Sequence, residues 1–371
     1  AKEKIYKPFQ LFAHLLNHPD FSNVVQEAWN SVISGDSWFV LTSKLKKVKE
    51  GLKRLNLHHG NLSSKVDDSR NALHDWQTHM SSIPTRDELL QEITLMSRFQ
   101  AALTEQEILL RQKSRIKWLQ LGDGNNHYFF NSCKSRWNSN KILSLDMNGA
   151  HLTAQKDIAS EAVKFFQNLM GNSRSVNPIP PELKFTKLTD SQNRCLNREV
   201  MSEEILNTFK SLAKNKCPGP DGFSSEFFLN AWSIIGSDVN AAILSFFNDL
   251  SLPRMVNSAA LALIPKVANA SHMSQFRPIS CCNVLYKVIS KLLTSRLKPV
   301  MPHLVSPNQA AFVTGRTLGD HVLLAQTLCR DYHVNRGTPR MCFKLDISKA
   351  FDTINWEFLF NLLELMGFES R

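Results

Sequence analysis

Apolar residues recur at helical spacing through the first third of the chain. Five of them follow one another at steps of four, three, four and three residues: Leu41, Leu45, Val48, Leu52 and Leu55. A second series continues through 62–110, with a break at Ile83-Pro84. This spacing is typical of one face of a long amphipathic helix. The pattern therefore predicts an antiparallel coiled-coil hairpin over 38–121, preceded by short helices over 1–37.

Beyond residue 121 the pattern changes from long helices to a mixture of helices and strands. Segment 122–190 predicts a helix, a β-hairpin with an Asn148-Gly149 turn, a helix over 154–170 and a proline-rich linker. Segment 191–371 alternates predicted helices with apolar extended runs. The helices are expected at 202–213, 224–232, 236–250, 283–299, 317–334 and 356–366, and the extended runs at 258–265, 276–280 and before Asp346. The whole chain therefore predicts a helix-rich α+β protein.

The net charge of the chain indicates a class of partner, and its cysteine content indicates a cellular compartment. The net charge is +11, from 44 Lys and Arg against 33 Asp and Glu, which favours a polyanion such as nucleic acid. A basic protein without such a partner is the plainer alternative, and the lysine run over 44–54 can be a solvated helix face. No apolar run reaches about 18 residues, so no membrane span is expected. Seven Cys without a CxxC pair indicate a reducing intracellular compartment and no zinc site.

The first residues of the chain indicate whether it is a whole protein or a piece of one. The sequence begins Ala-Lys-Glu-Lys, with neither an initiator Met nor a signal peptide. This start predicts that the chain is a piece of a longer protein.

One acidic residue stands where an apolar run meets a helix start. Residues 341–345 are mostly apolar, and Asp346 follows them directly. A carboxylate at a strand end suits a metal ion, because the sheet fixes it while the loop leaves it accessible. The alternative is an ordinary acidic cap of the next helix. Further charged residues follow or precede Asp346 closely in the sequence: Lys344, Lys349 and Asp352. Charges of both signs around one strand-to-helix junction favour a site for Mg²⁺ and an anionic ligand.

Two cations are candidates for a phosphate site, and one loop is rich in proline and glycine. Lys266 ends an apolar strand and Arg277 follows eleven residues later, so the pair suits a triphosphate, although two exposed surface cations are the simpler interpretation. The loop Cys217-Pro218-Gly219-Pro220-Asp221-Gly222 predicts a rigid turn in which Asp221 bonds its own backbone. It lacks the GxxxxGK[ST] pattern of a phosphate-binding loop.

Taken in order, these segments resemble a known family. The ordered segments are 214–222, 263–266, 276–280, 286–287, 295–297, 309–316 and 344–352. They closely resemble the fingers and early palm of a non-LTR (LINE-type) retrotransposon reverse transcriptase, most of all plant members. Segments 7–12 and 118–125 resemble the region that joins the endonuclease of such polyproteins to the polymerase. The resemblance implies four segments: 1–37 after the endonuclease, a helical linker over 38–121, a further linker over 122–190, and fingers with an incomplete right-hand palm over 191–371.

The resemblance also implies roles for individual residues. Asp346 would be the catalytic carboxylate and would bind metal together with the carbonyl of Ile347. Lys266 and Arg277 would hold the triphosphate, and Phe351 would stack under the deoxyribose and exclude a 2′-hydroxyl. Gln309 and Arg316 would lie near the template and primer. The implied reaction copies an RNA template onto a DNA primer from dNTPs with two Mg²⁺, in a protein of the nucleus and cytoplasm.

The sequence departs from the family at one decisive point. The family's second catalytic motif, aromatic-Ala-Asp-Asp, is not found among the 371 residues, nor is a thumb expected after residue 366. We therefore expect this chain to be a polymerase fragment without activity of its own, since two-metal chemistry needs carboxylates from both motifs. One alternative is a degenerate relic that at most binds nucleic acid non-specifically. Another is a helical scaffold that self-associates through 38–113.

Overall fold

The structure is a computed structural model that describes residues 8–114, 126–147, 150–171, 177–330, 332, 334, 341–345 and 351–369. Within these residues the chain is mostly helical and has two small antiparallel sheets. The predicted helix-rich α+β class is therefore confirmed. None of the described helices is both long enough and apolar enough to cross a lipid bilayer.

The described residues form fourteen α-helices, four strands and two short 3-10 helices. The helices are α1 (Phe21–Trp29), α2 (Ser37–His59), α3 (Leu62–His79), α4 (Arg86–Ser114), α5 (Asn126–Asn140), α6 (Gln155–Gly171), α7 (Asp190–Asn197), α8 (Ser202–Lys210), α9 (Ser225–Asn230), α10 (Trp232–Asp249), α11 (Val284–Leu297), α12 (Met301–Leu304), α13 (Leu318–Cys329) and α14 (Trp356–Leu365). The strands are β1 (Leu145–Met147), β2 (Ala150–Leu152), β3 (Ala259–Pro265) and β4 (Phe276–Cys282), and the 3-10 helices are Ala13–Asn17 and Met273–Gln275.

The chain divides into two compact units. Unit one comprises Ala1–Ile142, Val200–Ala270 and Ser274–Ile289, and unit two comprises Leu143–Glu199, Ser271–Met273 and Ser290–Arg371. This division follows contacts in space, whereas the four-segment division of the sequence stays a prediction.

Helix α2 buries the apolar stripe that its sequence predicts. The side chain of Asp36 caps its first turn by accepting a hydrogen bond from the backbone N–H of Phe39 at 2.8 Å. Gly60, with φ of 76°, ends the helix in a conformation that favours glycine. The face of α2 that packs against α1 and α10 consists of Leu41, Leu45, Val48, Leu52 and Leu55, all buried.

The predicted antiparallel hairpin is formed by α3 and α4 alone. Polar contacts join the start of α3 to the end of α4 and the end of α3 to the start of α4, as antiparallel pairing requires. Lys65 forms an ion pair with Glu105 at 2.9 Å, and the amide of Gln77 donates to the carboxylate of Glu92 at 2.7 Å. Helix α2 is a member of the α1–α10 cluster instead, so the prediction of one hairpin over the whole series is wrong for α2.

Phenylalanine rings fill the centre of unit one. Phe209, Phe223, Phe227 and Phe228 are each at most 2% exposed. The rings of Phe223 and Phe227 lie 4.5 Å apart between centroids, and those of Phe209 and Phe228 lie 5.3 Å apart. Such a cluster buries a large apolar area and fixes α8, α9 and α10 against one another.

Strands β3 and β4 form a two-stranded ribbon in unit one. Their register pairs Ala259 with Cys282 at one end and Pro265 with Phe276 at the other. The sequence predicted β3 from an apolar run and β4 as an extended segment, and both strands are confirmed. Most of the ribbon is exposed on both faces, so its side chains are available to ligands.

Unit two has a smaller core. Leu188, Val300 and Leu304 form its buried centre, with Met366 and Phe368 packed against them. The backbone N–H of Leu188 donates to the carbonyl of Met366 at 2.8 Å. This contact holds the end of the proline-rich linker, which has no regular element over 177–189 apart from a turn, as predicted.

Two apolar helices of unit two remain without a buried residue. Helices α13 and α14 are apolar on several sides, yet none of their residues is buried. Residues 341–345, predicted as the strand before Asp346, lie unpaired and exposed. The strand prediction is therefore wrong for these residues, because a strand is stabilised by a neighbour and none of the described residues pairs with them.

Candidate functional site

The ribbon of β3 and β4 places the two predicted triphosphate cations on one surface. Ile264 pairs directly with Arg277, and the backbone N–H of Lys266 donates to the carbonyl of Gln275 at 2.8 Å. Residues directly opposite each other in an antiparallel ribbon share a face, and so do residues two apart along a strand. Lys266 and Arg277 are therefore diagonal neighbours on the same face, about 7–8 Å apart at the backbone.

The two cations differ in how far they are engaged. The ammonium of Lys266 donates to the backbone carbonyl of Ser274 at 2.9 Å, a contact that holds it close to the ribbon. Arg277 is exposed, and among the described residues its guanidinium makes no hydrogen bond or ion pair. A guanidinium with open donors can grip a phosphate with two parallel hydrogen bonds, which a lysine cannot do.

The loop before α13 engages Arg316 in its own fold. The guanidinium donates to the backbone carbonyls of Gln309 at 2.6 Å, Val305 at 2.8 Å and Pro302 at 3.0 Å, and also to that of Ser306. Arg316 therefore closes the loop that contains Gln309, and the structure brings these two predicted residues together. A nucleic-acid contact for either residue stays a prediction.

Asp346 and Ile347 lie outside the described residues, so their predicted metal-binding role is untested. Phe351 is described and is 87% exposed, so a core role for this ring is excluded in this chain. Its ring meets that of Phe312 edge to face, with centroids 6.4 Å apart. Phe312 is itself exposed and has a φ of 66°, an uncommon conformation for a bulky residue.

The loop over 217–222 is fixed more tightly than its sequence predicts. The expected local bond is present, since the carboxylate of Asp221 accepts from the N–H of Phe223 at 3.1 Å. Asn283 adds a long-range clamp by accepting from the N–H of Asp221 at 3.2 Å. A Cβ on Gly219 would lie 2.2 Å from the amide oxygen of Asn283, so only glycine fits there. Lys287 also donates to the carbonyl of Cys217 at 3.1 Å.

Sequence reasoning missed Asn283. Its position directly before α11 is typical of a helix cap, and its carbonyl does accept the N–H of Lys287 at 3.1 Å. The side chain instead donates to the carbonyls of Met255 and Val256, at 2.8 and 3.2 Å. No local signal predicts this clamp, because its partners are more than 25 residues away.

The electrostatics of this loop centre on Asp221. Burial raises the pKa of its carboxyl to about 6, against the N–H of Phe223 and the nearby cations Lys49 and Lys287, which lower it. Among the described residues, no group of three His, Cys, Asp or Glu side chains is placed to hold a metal ion. The described residues therefore include two cations on one face of the ribbon and, separately, a buried carboxyl in the loop over 217–222.

Comparison with known proteins finds a family model that matches the last part of the chain. Residues 264–371 match the sequence model of the family described as reverse transcriptase (RNA-dependent DNA polymerase). The matched region contains every residue to which the motif order assigned a role in the site. The chain thus carries part of a reverse transcriptase domain, as predicted.

Three relatives place this domain within a type of mobile element. An uncharacterized 149 kDa protein of transposon TX1 from Xenopus laevis is 28% identical over 263 residues, which is 69% of this chain and 20% of the relative. Retrovirus-related Pol polyproteins of a type-1 element from Bradysia coprophila and a type-2 element from Drosophila melanogaster are 24% and 29% identical, over 61% and 40% of this chain and 22% and 14% of theirs.

These relatives support the non-LTR, LINE-type reverse transcriptase that the motifs predicted, so that prediction is confirmed. A particular similarity to plant members stays a prediction. The chain spans about a fifth of the length of the first two relatives.

Proposed function

We propose that the chain is the linker, fingers and early palm of an RNA-directed DNA polymerase from a non-LTR retrotransposon. The observation that carries this proposal is the ribbon of β3 and β4, which lies in the order of motifs that the family requires and presents Lys266 and Arg277 on one exposed face. Two cations at this spacing suit the polyphosphate of an incoming dNTP.

Within this proposal, the ribbon positions the nucleotide through its phosphates. The open guanidinium of Arg277 binds two phosphate oxygens, and Lys266 supplies a second positive charge beside it. The exposure of Phe351 supports its role against the sugar, because only a ring that is not buried in the core can meet a substrate. Its bulk excludes a 2′-hydroxyl by collision.

The metal chemistry needs residues beyond those in this chain. The carboxylate of Asp346 and the carbonyl of Ile347 would hold Mg²⁺, which supplies activation of the primer 3′-oxygen and stabilisation of the leaving pyrophosphate. A second carboxylate motif has to complete the metal pair. The 371-residue chain alone is therefore expected to show no primer extension.

The partners follow from the reaction. The template is RNA and the primer is DNA, and Gln309 and Arg316 are proposed to lie near them. The compartments of such a protein are the cytoplasm, where it is made, and the nucleus, where the target DNA lies.

Helix-mediated self-association through 38–113 is a further prediction, which sedimentation of that segment tests.

The test uses a joined polymerase, defined as residues 1–371 followed by the downstream palm and thumb of a relative that supplies aromatic-Ala-Asp-Asp. Phe351→Val is expected to raise ribonucleotide incorporation while leaving dNTP use largely intact. Asp346→Asn is expected to abolish both, since the metal loses a charged ligand. Primer extension on an RNA template, with dNTPs and rNTPs in parallel, measures both outcomes.

The melting temperature of each variant separates selectivity from damage. A Phe351→Val enzyme that melts as the parent does and yet keeps its selectivity against ribonucleotides would remove Phe351 from the sugar site. Undiminished extension by the Asp346→Asn enzyme would remove Asp346 from the metal site.

A further inference from the structure

A pocket in unit one lies between the lysine-rich face of α2 and the clamped loop over 217–222. Its volume is about 350 Å³, toward the small end of the range found for small-molecule sites. Lys46, Lys49 and Lys53 line it from α2, and Asp221 lines it from the loop. Apolar side chains complete the walls: Phe223, Val256 and Leu285, each at most 3% exposed.

The pocket is rigid on the side of the loop. Asn283 is 2% exposed and joins three backbone segments, because it accepts from the N–H of Asp221 and donates to the carbonyls of Met255 and Val256. All three of these neighbours line the pocket. A site whose groups are held in place before a ligand arrives loses less entropy on binding.

The carboxylate of Asp221 keeps acceptor capacity inside this pocket. Its partners are the backbone N–H groups of Phe223 and Gly222, whereas a carboxylate has about four lone-pair sites. Lys49 donates to the backbone carbonyl of Asp221 at 3.4 Å rather than to the carboxylate, and its ammonium lies 5.2 Å from the centre of the Phe9 ring. Among the described residues, no ion pair within 4 Å neutralises the carboxylate.

The mouth of the pocket is positively charged on balance, because Lys46, Lys49 and Lys53 of α2 outnumber the exposed carboxylate of Glu50, which lies between them. Lys46 and Lys53 are exposed and stand seven residues apart on α2, which is about 10 Å along the helix axis. A ligand that fits must therefore carry negative charge at both sides of the mouth, an apolar or aromatic body, and hydrogen-bond donors at its inner end. A fatty acid lacks donors for the inner end, whereas a nucleotide combines a phosphate, a flat ring and an amino group within one residue.

We propose that this pocket binds one unstacked nucleotide of single-stranded RNA, with the amino group of its base donating to Asp221 and the flanking phosphates on Lys46 and Lys53. Unpaired bases can leave the strand and enter a pocket, whereas bases of a duplex cannot. Carboxylates read the exocyclic amine of cytosine in this way. The inference rests on the nucleic-acid partner of the proposed function, but it assigns a contact that lies outside the polymerase motifs.

The test measures binding of the 371-residue chain to labelled single-stranded oligocytidine and oligouridine by fluorescence anisotropy at one fixed salt concentration. Oligocytidine is expected to bind about tenfold more tightly, since uracil has no amino group to offer Asp221. Asp221→Asn is expected to remove this preference, because an amide can satisfy either base. Met255→Trp, a change at an exposed rim residue, is expected to block entry and weaken oligocytidine binding to the level of oligouridine.

A matched control separates the pocket from general charge. The double variant Lys46→Gln with Lys53→Gln is expected to weaken oligocytidine binding at least tenfold. Lys47→Gln with Arg54→Gln removes the same charge from exposed positions of α2 that do not line the pocket, and it is expected to weaken binding much less. Equal losses in the two double variants would overturn the inference, as would equal affinity of the parent chain for the two oligonucleotides.

A competition arm distinguishes a residue of a strand from a free nucleotide. Cytidine monophosphate that displaces oligocytidine only at far higher concentration indicates that the strand is the ligand. Displacement at equal concentration indicates a free-nucleotide site, and no displacement by either an acidic peptide or duplex RNA is expected. Failure here leaves primer extension by the joined polymerase unaffected, so it is distinguishable from failure of the proposed function.

Discussion

Two groups of phenylalanines in this protein have opposite environments. Phe223 and Phe227 in unit one are buried within a ring cluster, whereas Phe312 and Phe351 in unit two are 94% and 87% exposed and contact each other. The first group stabilises a core. The second lies in a segment whose sequence resembles a nucleotide site, so the comparison separates aromatic residues that hold the fold from those expected to meet a ligand.

Truncation of one ring from each group tests whether only the buried rings stabilise the fold. Phe227→Ala is expected to cost about 3–5 kcal/mol of unfolding free energy, because it leaves a cavity among three other rings. Phe351→Ala is expected to change stability by less than about 0.5 kcal/mol, since the ring is exposed. Urea unfolding followed by tryptophan fluorescence measures both. Similar losses for the two variants would end the distinction.

Burial also changes the properties of a polar group in unit one. The carboxyl of Asp221 is buried there, and its pKa shifts as a result. Its pKa of about 6 in the folded chain exceeds the ordinary value of 3.8, because burial disfavours the charged form. The folded state therefore binds more protons than the unfolded state between these values. Stability from this group is highest below about pH 4 and falls by about 3 kcal/mol as the pH rises to about 6 and above.

Replacing this carboxyl should remove that dependence. Asp221→Asn is expected to be more stable than the parent at pH 7.5, by up to about 3 kcal/mol, and to show no gain at pH 4. Unfolding free energies of the two proteins across pH 4–7.5 provide the measurement. Parallel curves would show that Asp221 titrates normally in the folded chain.

The smallest expected effect compares two arginines. Arg277 is open to solvent, whereas Arg316 donates to four backbone carbonyls. Arg277→Gln is expected to change the unfolding free energy by less than about 0.5 kcal/mol, since its guanidinium is exposed. Arg316→Gln is expected to lower it by about 1–2 kcal/mol, because four backbone carbonyls lose their donor. Urea unfolding of both variants provides the measurement, and a larger loss at Arg277 than at Arg316 would contradict the different roles assigned to them.

Local patterns predicted the elements of this fold well where each element contains its own signal. The apolar stripe of α2 is one example, because burial of one helix face follows directly from the spacing of its apolar residues. The extended runs of β3 and β4 are others, because each forms a strand where its sequence predicted one. The strand over 341–345 failed, since a strand depends on a neighbour that its own sequence does not specify. The clamp made by Asn283 and the pocket beside Asp221 could not be predicted, because each brings together segments that are distant along the chain.

The candidate site was predictable to a similar extent. The diagonal placement of Lys266 and Arg277 follows from a ribbon that the sequence already indicated. The engagement of Arg316 by backbone carbonyls was not predictable, since a motif identifies a residue type and not the atoms that it contacts.

The central claim is that the ribbon of β3 and β4 binds the triphosphate of the nucleotide that is incorporated. Steady-state primer extension by the joined polymerase tests it most directly, with Lys266→Gln and Arg277→Gln against Lys298→Gln, which changes an exposed cation outside the ribbon. The KM for dNTP is expected to rise at least about tenfold in each ribbon variant and to stay unchanged in Lys298→Gln. An unchanged KM for dNTP in both ribbon variants would contradict it.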